Sequence, residues 1–265
     1  MTGGIRAGDV TIRELSSLED VRAMATLLER IWAEPRILTA ELLRALATHG
    51  NPVIGAFVED QLVGAQMAFL GLEDGRPILH SHVTGIAPET QHHGVGFLLK
   101  LAQRDWALAH RIDVITWTFD PMIARNAYFN IRKLGAIGSR FLRDFYGTMD
   151  DAFNTGERSD RIEARWELRH PRVEAALRGG RSGPDEIGAA AILDDEDGEP
   201  RMHPEREGER LLVRVPPDYL ALREKDRQAA RAWRDAVADA LEEAFRRGFR
   251  ATGFERDGGY LLERA

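Results

Sequence analysis

The 265-residue chain carries a formal net charge of −7, with 43% hydrophobic and 30% charged residues. This is the composition of an ordinary globular protein, long enough for one large domain or for a domain with a smaller companion; its acidic balance argues against general nucleic-acid binding. The absence of cysteine excludes disulfides, thiolate-ligated zinc and thiol nucleophiles, and with no apolar run of signal-peptide or membrane-span length the cytoplasm is the expected compartment.

Val10 to Leu15 alternates apolar and polar residues and reads as a first strand. Ser16 or Ser17 then caps a helix whose apolar stripe is Val21, Met24, Leu27, Leu28 and Ile31. A second helix is predicted over Thr39 to Thr48, with Gly50 as its stop. Pro52 to Val58 and Leu62 to Leu70 form a predicted hairpin, and Glu73-Asp74-Gly75 turns the chain into the strand Ile78 to Ile86. A helix follows over Val95 to Ala109, then a strand over Asp113 to Phe119 and a short helix from Ala124 to Leu134 that ends at Gly135. Strands are predicted over Phe141 to Tyr146 and Ile162 to Leu168, joined by a polar loop. The order is that of a mixed α/β sheet.

The composition changes at Arg169. Residues 178–184 read as a connector and Asp194 to Glu199 as a solvated acidic loop. A strand at Leu211 to Val215, one helix over Tyr219 to Arg247 and short strands at Phe249 to Phe254 and Tyr260 to Leu262 make a β-α-β-β tail. The predicted domains are therefore 1–169 and 170–265. The Arg- and Ala-rich helix of the tail is compatible with a homodimer surface.

Between the strand Ile78 to Ile86 and the following helix stands Gln91-His92-His93-Gly94-Val95-Gly96. A helix start leaves its first amides unpaired and carries partial positive charge, which suits a phosphate. Gly94 and Gly96 let a pyrophosphate approach the backbone. This Gln-x-x-Gly-x-Gly pattern, three residues after Pro88, resembles the acyl-CoA loop of the GCN5-related N-acetyltransferases, the GNAT family. The element order matches that family from about residue 9 to residue 169.

The resemblance implies the GNAT acyl-CoA N-acyltransferase fold with a smaller C-terminal lobe. It gives the loop, Gln91 through Gly96, the CoA pyrophosphate. It gives the backbone of Thr84, Gly85 and Ile86 the pantetheine arm, in the manner of an added strand. His80-Ser81-His82-Val83 is similar to the H-x-H-V stretch of the arylalkylamine N-acetyltransferase branch, where the histidines serve proton removal. His80 and His82 stand two apart and so project from one face of a strand, and an imidazole titrates in the right range to take a proton at neutral pH. A metal reading would gather His80, His82, His92 and His93, but no paired carboxylate accompanies them, and no metal is expected.

The family's leaving-group tyrosine aligns with Ile131, so Tyr128 and Tyr146 are its substitutes. The family's asparagine aligns with Ala124, with Asn126 close by. The stretch Tyr146 to Gly156, with Ser159-Asp160-Arg161 and Trp166-Glu167-Leu168, resembles a bacterial GNAT subgroup with a C-terminal extension. That resemblance implies amino-acid acceptors, with succinyl-CoA as one donor. Arg161 has two readings, a bidentate partner for a substrate or donor carboxylate and a structural ion pair with Asp160 or Glu163. The expected function is transfer of an acetyl or succinyl group from acyl-CoA to the primary amine of a small molecule by direct attack, with no nucleic-acid or membrane partner. The alternative is a non-catalytic CoA-binding regulatory module.

Overall fold

The computed structural model describes residues 7–33, 38–91, 93–147, 156–180, 183 and 188–264. These fall in two compact units, the first ending at Thr116 and the second beginning at Trp117. The expected boundary after residue 169 falls inside the second unit.

The first unit contains β1 (Val10–Glu14), α1 (Leu18–Trp32), α2 (Ala40–Thr48), β2 (Val53–Val58), β3 (Gln61–Glu73), β4 (Arg76–Ile86), α3 (Val95–Ala109) and the start of β5 (Val114–Phe119). Its strands lie in the order β1-β2-β3-β4-β5. All neighbours are antiparallel except β4 and β5. Ser17 caps α1 in a reciprocal box with Asp20. Asp20 also meets Arg13 at 2.7 Å, and that bond, against a smaller desolvation effect, holds its carboxyl well below the usual range.

One sheet face packs Ala65, Met67 and Val53 against Val21, Met24, Leu28 and Leu43 of α1 and α2. The other packs Ile54, Ala56 and Val63 against Val95 and Leu99 of α3. Gly85 is the close approach on the first face. A Cβ there would stand 2.9 Å from each of Leu28, Ile31 and Trp32, so α1 lies too near β4 for any side chain.

The second unit takes the rest of β5, α4 (Ala124–Ala127), β6 (Ile137–Leu142), β7 (Arg161–Glu167), α5 (Pro171–Leu177), β8 (Ala190–Glu196), β9 (Glu199–Met202), β10 (Arg210–Arg214), α6 (Tyr219–Lys225), α7 (Arg227–Arg246), β11 (Phe249–Glu255) and β12 (Gly259–Arg264). Strands β7-β6-β11-β12-β10-β8-β9 are neighbours in that order. Helix α7 buries Trp233, Val237, Leu241 and Ala244.

Several expectations are corrected here. The predicted helix from Ala124 to Leu134 is one α-turn followed by a π-helical turn, Tyr128–Lys133. The strand expected over Phe141 to Tyr146 lies earlier, at Ile137–Leu142, and Tyr146 stands in the turn after it. Gly138 sets that position, since a Cβ there would meet Ala251 and Ile162 at 2.9 Å. The acidic stretch Asp194 to Glu199 is the β8–β9 hairpin, and α5 occupies a stretch to which the sequence reading assigns no element. The single tail helix is broken at Asp226, which ends α6 and whose carboxylate then caps α7 through the amides of Gln228 and Ala229.

Candidate active site

The centre of the first unit is an irregularity in β4. Ala68 faces Ser81 and Met67 faces Val83, so His82 is an extra residue, a β-bulge. Ser81 shares the side of its partner Ala68, the α3 side, while His80 follows Phe69 onto the opposite side. The ring centroids of His80 and His82 lie 6.3 Å apart, and both pack on Phe69, at 5.1 and 5.9 Å. The two histidines expected to share a face therefore do so.

Their settings differ. His80 is half-buried, and its Nδ1 shares a hydrogen bond with Thr116 Oγ1 at 3.2 Å. His82 is exposed at the bulge, yet the protein around its ring still disfavours the imidazolium, and desolvation lowers its pKa. It is thus a neutral, accessible imidazole at pH 7.

Among the described residues, the ladder between β4 and β5 consists of Leu79–Ile115 and His80–Thr116. Past His80, β4 continues to Thr84, Gly85 and Ile86, paired on its other edge with Gln66, Ala65 and Gly64 of β3.

The chain then reaches α3. Thr90 is buried and donates its hydroxyl to the carbonyls of Val63 and Ala87. Gln91 Nε2 reaches back to the Ile86 carbonyl at 3.5 Å. Gly94 stands before the helix at φ +81°, in the left-handed region that favours glycine, with open space where its Cβ would be. Unlike α1 and α2, whose cap side chains bond their own amides, α3 has, among the described residues, no side-chain cap and no acidic residue in its first turn. The amides of Gly94, Val95 and Gly96 thus keep the positive potential of a helix start, and a pyrophosphate fits that chemistry. His93 is half-buried; His92 lies outside the described residues.

Behind β4, on its α3 side, the structure holds polar residues that sequence reasoning did not single out. Lys100 of α3 is buried and donates to Ser81 Oγ at 2.8 Å and to Gln103 Oε1 at 3.2 Å. Burial pushes its ammonium down to about 7. Gln66 of β3 donates to the Leu99 carbonyl at 2.6 Å. Gln66 Oε1 and Gln103 Nε2 are buried with no described partner. Lysine is so seldom buried that a helical pattern assigns it to solvent by default.

The remaining anticipated residues belong to the second unit. Ile131 is fully buried, so the family's tyrosine position is a core position here. Tyr128 begins the π-helical turn, and Arg256 Nε donates to its hydroxyl at 3.3 Å. Asn126 is exposed on α4. Tyr146 is exposed, with its hydroxyl 3.1 Å from Thr118 Oγ1. Arg161 is buried, donates to the Asp160 carbonyl at 2.8 Å and lies 5.4 Å from the Tyr146 ring centroid. Asp160 pairs with Arg158 and Glu163 with Arg140. The polar loop expected to form a substrate wall falls mainly at 148–155, outside the described residues.

That unit also buries an ion network absent from the sequence reading. Arg234 reaches Asp120 and Glu157 at 3.0 and 3.1 Å, and its Nε donates to Tyr219 Oη at 3.1 Å. Burial opposes the charge, but Asp120 and Tyr219 outweigh it, so the guanidinium pKa is raised. Among the described residues, no group of three or more His, Cys, Asp or Glu side chains is placed to hold a metal ion. No described helix is long and apolar enough to cross a membrane.

No protein-family model matches the chain, and no curated protein is similar to it. Solved structures are. A Salmonella typhimurium protein described as an acetyltransferase, solved with its cofactor acetyl-CoA, is 17% identical at a TM-score of 0.51, over 62% of this chain and 96% of that one. An acetyltransferase of the GNAT family from Streptococcus pneumoniae is 15% identical at a TM-score of 0.49, over 59% of this chain and 97% of that one. The ribosomal-protein-S18-alanine N-acetyltransferase of Escherichia coli is 16% identical at 0.48, over 60% and 94%. At these identities the likeness is one of fold, and it leaves more than a third of this chain unmatched.

Proposed function

From a chain with the GNAT acetyltransferase fold, we infer an acyl-CoA-dependent N-acyltransferase acting on the primary amine of a small molecule, with an amino acid as the leading acceptor class. The observation that carries this reading is the pairing of two features on consecutive elements. Strand β4 runs on past His80 to Thr84, Gly85 and Ile86, and the helix that follows begins with uncapped amides behind Gly94.

Acyl-CoA would supply the activated thioester. The amides of Gly94, Val95 and Gly96 would hold its pyrophosphate, and the edge of Thr84 to Ile86 would align its arm. An amine attacks only after losing its proton, and His82 is the base best suited to take it, being neutral and accessible. His80, fixed by Thr116, stands near enough for a water to join the two rings. Backbone N–H groups of β4 polarise the carbonyl that is attacked. The departing thiolate, with an ordinary thiol pKa near ~8.5, needs no strong protein acid, in keeping with the burial of Ile131.

The test is release of CoA thiol from acetyl-CoA and succinyl-CoA against L- and D-amino acids and arylalkylamines, with His80→Ala and His82→Ala in parallel. Turnover with one donor, reduced about 10²-fold or more in His82→Ala, supports the reading. CoA binding without thiol release across the panel supports the regulatory module instead, and absence of CoA binding overturns both.

A further inference from the structure

We propose that Lys100 and Ser81 form a positioning link that pins the β4 bulge at His82 and so keeps both histidines on the side of the sheet where an acceptor amine would be deprotonated. The inference rests on the function proposed above and assigns a role to residues that touch neither the amine nor CoA.

The argument is one of register. A bulge is one extra residue, and moving it along a strand turns the residues it passes over to the opposite face. With the extra residue at position 82, Ala68 pairs with Ser81 and Phe69 with His80. With the flanking pairs kept, moving it to 81 would set His82 opposite Ala68 and turn that ring toward α3. Moving it to 83 would leave Ser81 opposite Ala68 and set His82 opposite Met67. Only the arrangement with Ser81 opposite Ala68 leaves His80 and His82 together, 6.3 Å apart on Phe69.

What distinguishes this register is the hydroxyl it buries. Ser81 is 4% exposed and accepts from Lys100 Nζ at 2.8 Å, while Gln103 Oε1 holds the same ammonium at 3.2 Å. With the extra residue at 81 an imidazole would replace the hydroxyl, and the buried Nζ would lose this acceptor. Gln66, beside the bulge on β3, ties its strand to the Leu99 carbonyl one residue before Lys100, so β3 and β4 are fastened to the same turn of α3. That helix begins at the loop proposed to take the pyrophosphate. The rigid element that would hold the donor thus also sets the register of the base. Burial lowers the Lys100 pKa, a cost that an apolar side chain filling the same space would not incur.

The experiment is a double-mutant cycle of Ser81→Ala, Lys100→Met and the pair, read three ways in the full-length protein. Steady-state kinetics with acetyl-CoA and the best acceptor should give kcat lowered about 10-fold or more in each single variant, with KM for acetyl-CoA unchanged. The double variant should be no worse than the poorer single one, the non-additivity of a shared link. Calorimetric CoA affinity should match wild type throughout. Imidazole ¹H–¹⁵N spectra should show the His82 titration moved in both single variants, and Ser81→Thr, which restores a hydroxyl, should return it toward wild type. Wild-type kcat together with an unmoved His82 titration in Ser81→Ala would overturn the proposal. Should Lys100→Met fail to fold, Ser81→Ala and Ser81→Thr decide alone. If wild type binds no CoA, the proposed function fails, while the imidazole spectra still decide whether the link positions the histidines.

Discussion

His82 and Lys100 stand on opposite sides of one strand, and the protein lowers the pKa of each by taking charge away from water. The consequences differ. For His82 the folded-state value lies below the ordinary imidazole value of 6.5, so the base form persists into mildly acid solution. The acid limb of kcat/KM should therefore fall below pH 6.5, and His82→Ala should remove that limb; a limb above 6.5 contradicts the assignment. For Lys100 the folded value is about 7 and the ordinary value 10.5. Between them the unfolded chain holds a proton that the folded chain has released, so this group makes stability rise with pH across that window. Below about 7 both states are protonated and the full cost of burial is present. Urea unfolding at pH 7, 8 and 9 should show wild type gaining on Lys100→Met by up to ~1.4 kcal/mol per pH unit. A difference independent of pH contradicts it.

At the scale of elements, the sequence makes legible what depends on local chemistry. Ser17 with Asp20, Thr39 at the start of α2, and the glycines flanking α3 are readable because capping and turn formation are decided within a few residues. The pairing of His80 with His82 was readable for the same reason. The bulge was not, because an alternating pattern looks the same whichever residue is extra. The π-turn at Tyr128–Lys133 and the early strand at Ile137–Leu142 escaped for a related cause, since packing decides both. Gly135 follows the turn at φ +74°, against Arg172 and Val173 of α5, and Gly138 lies against β7 and β11. Neither neighbour is local. The β8–β9 hairpin escaped because its acidic turn outweighs the two short strands around it.

At the scale of the whole molecule, the two units carry different burdens. The first holds the proposed donor loop and base; the second owes much of its interior to charge. Arg234 is 5% exposed and binds two carboxylates that are themselves largely buried. Arg158 beside it joins Asp160 to Asp235. Removing one partner of such a group strands the other charges, at a cost of about 3–5 kcal/mol. Arg234→Met should therefore lower unfolding free energy by that amount, and adding Asp120→Asn should recover part of the loss. A loss under ~1 kcal/mol in the single variant would show that the network is not a stabilising unit.

The central claim is that the start of α3 receives the pyrophosphate of an acyl-CoA, and Gly96→Glu tests it most directly. Among the described residues a Cβ at Gly96 meets only Ile86, at 3.8 Å, an ordinary contact. A carboxylate in the first turn of a helix favours the fold by about 0.3–1 kcal/mol, yet it sets an anion where the pyrophosphate would lie. Calorimetric titration of acetyl-CoA, paired with thermal unfolding, should show affinity reduced at least 10-fold in a variant as stable as wild type or more so. Unchanged affinity in that folded variant would contradict the account.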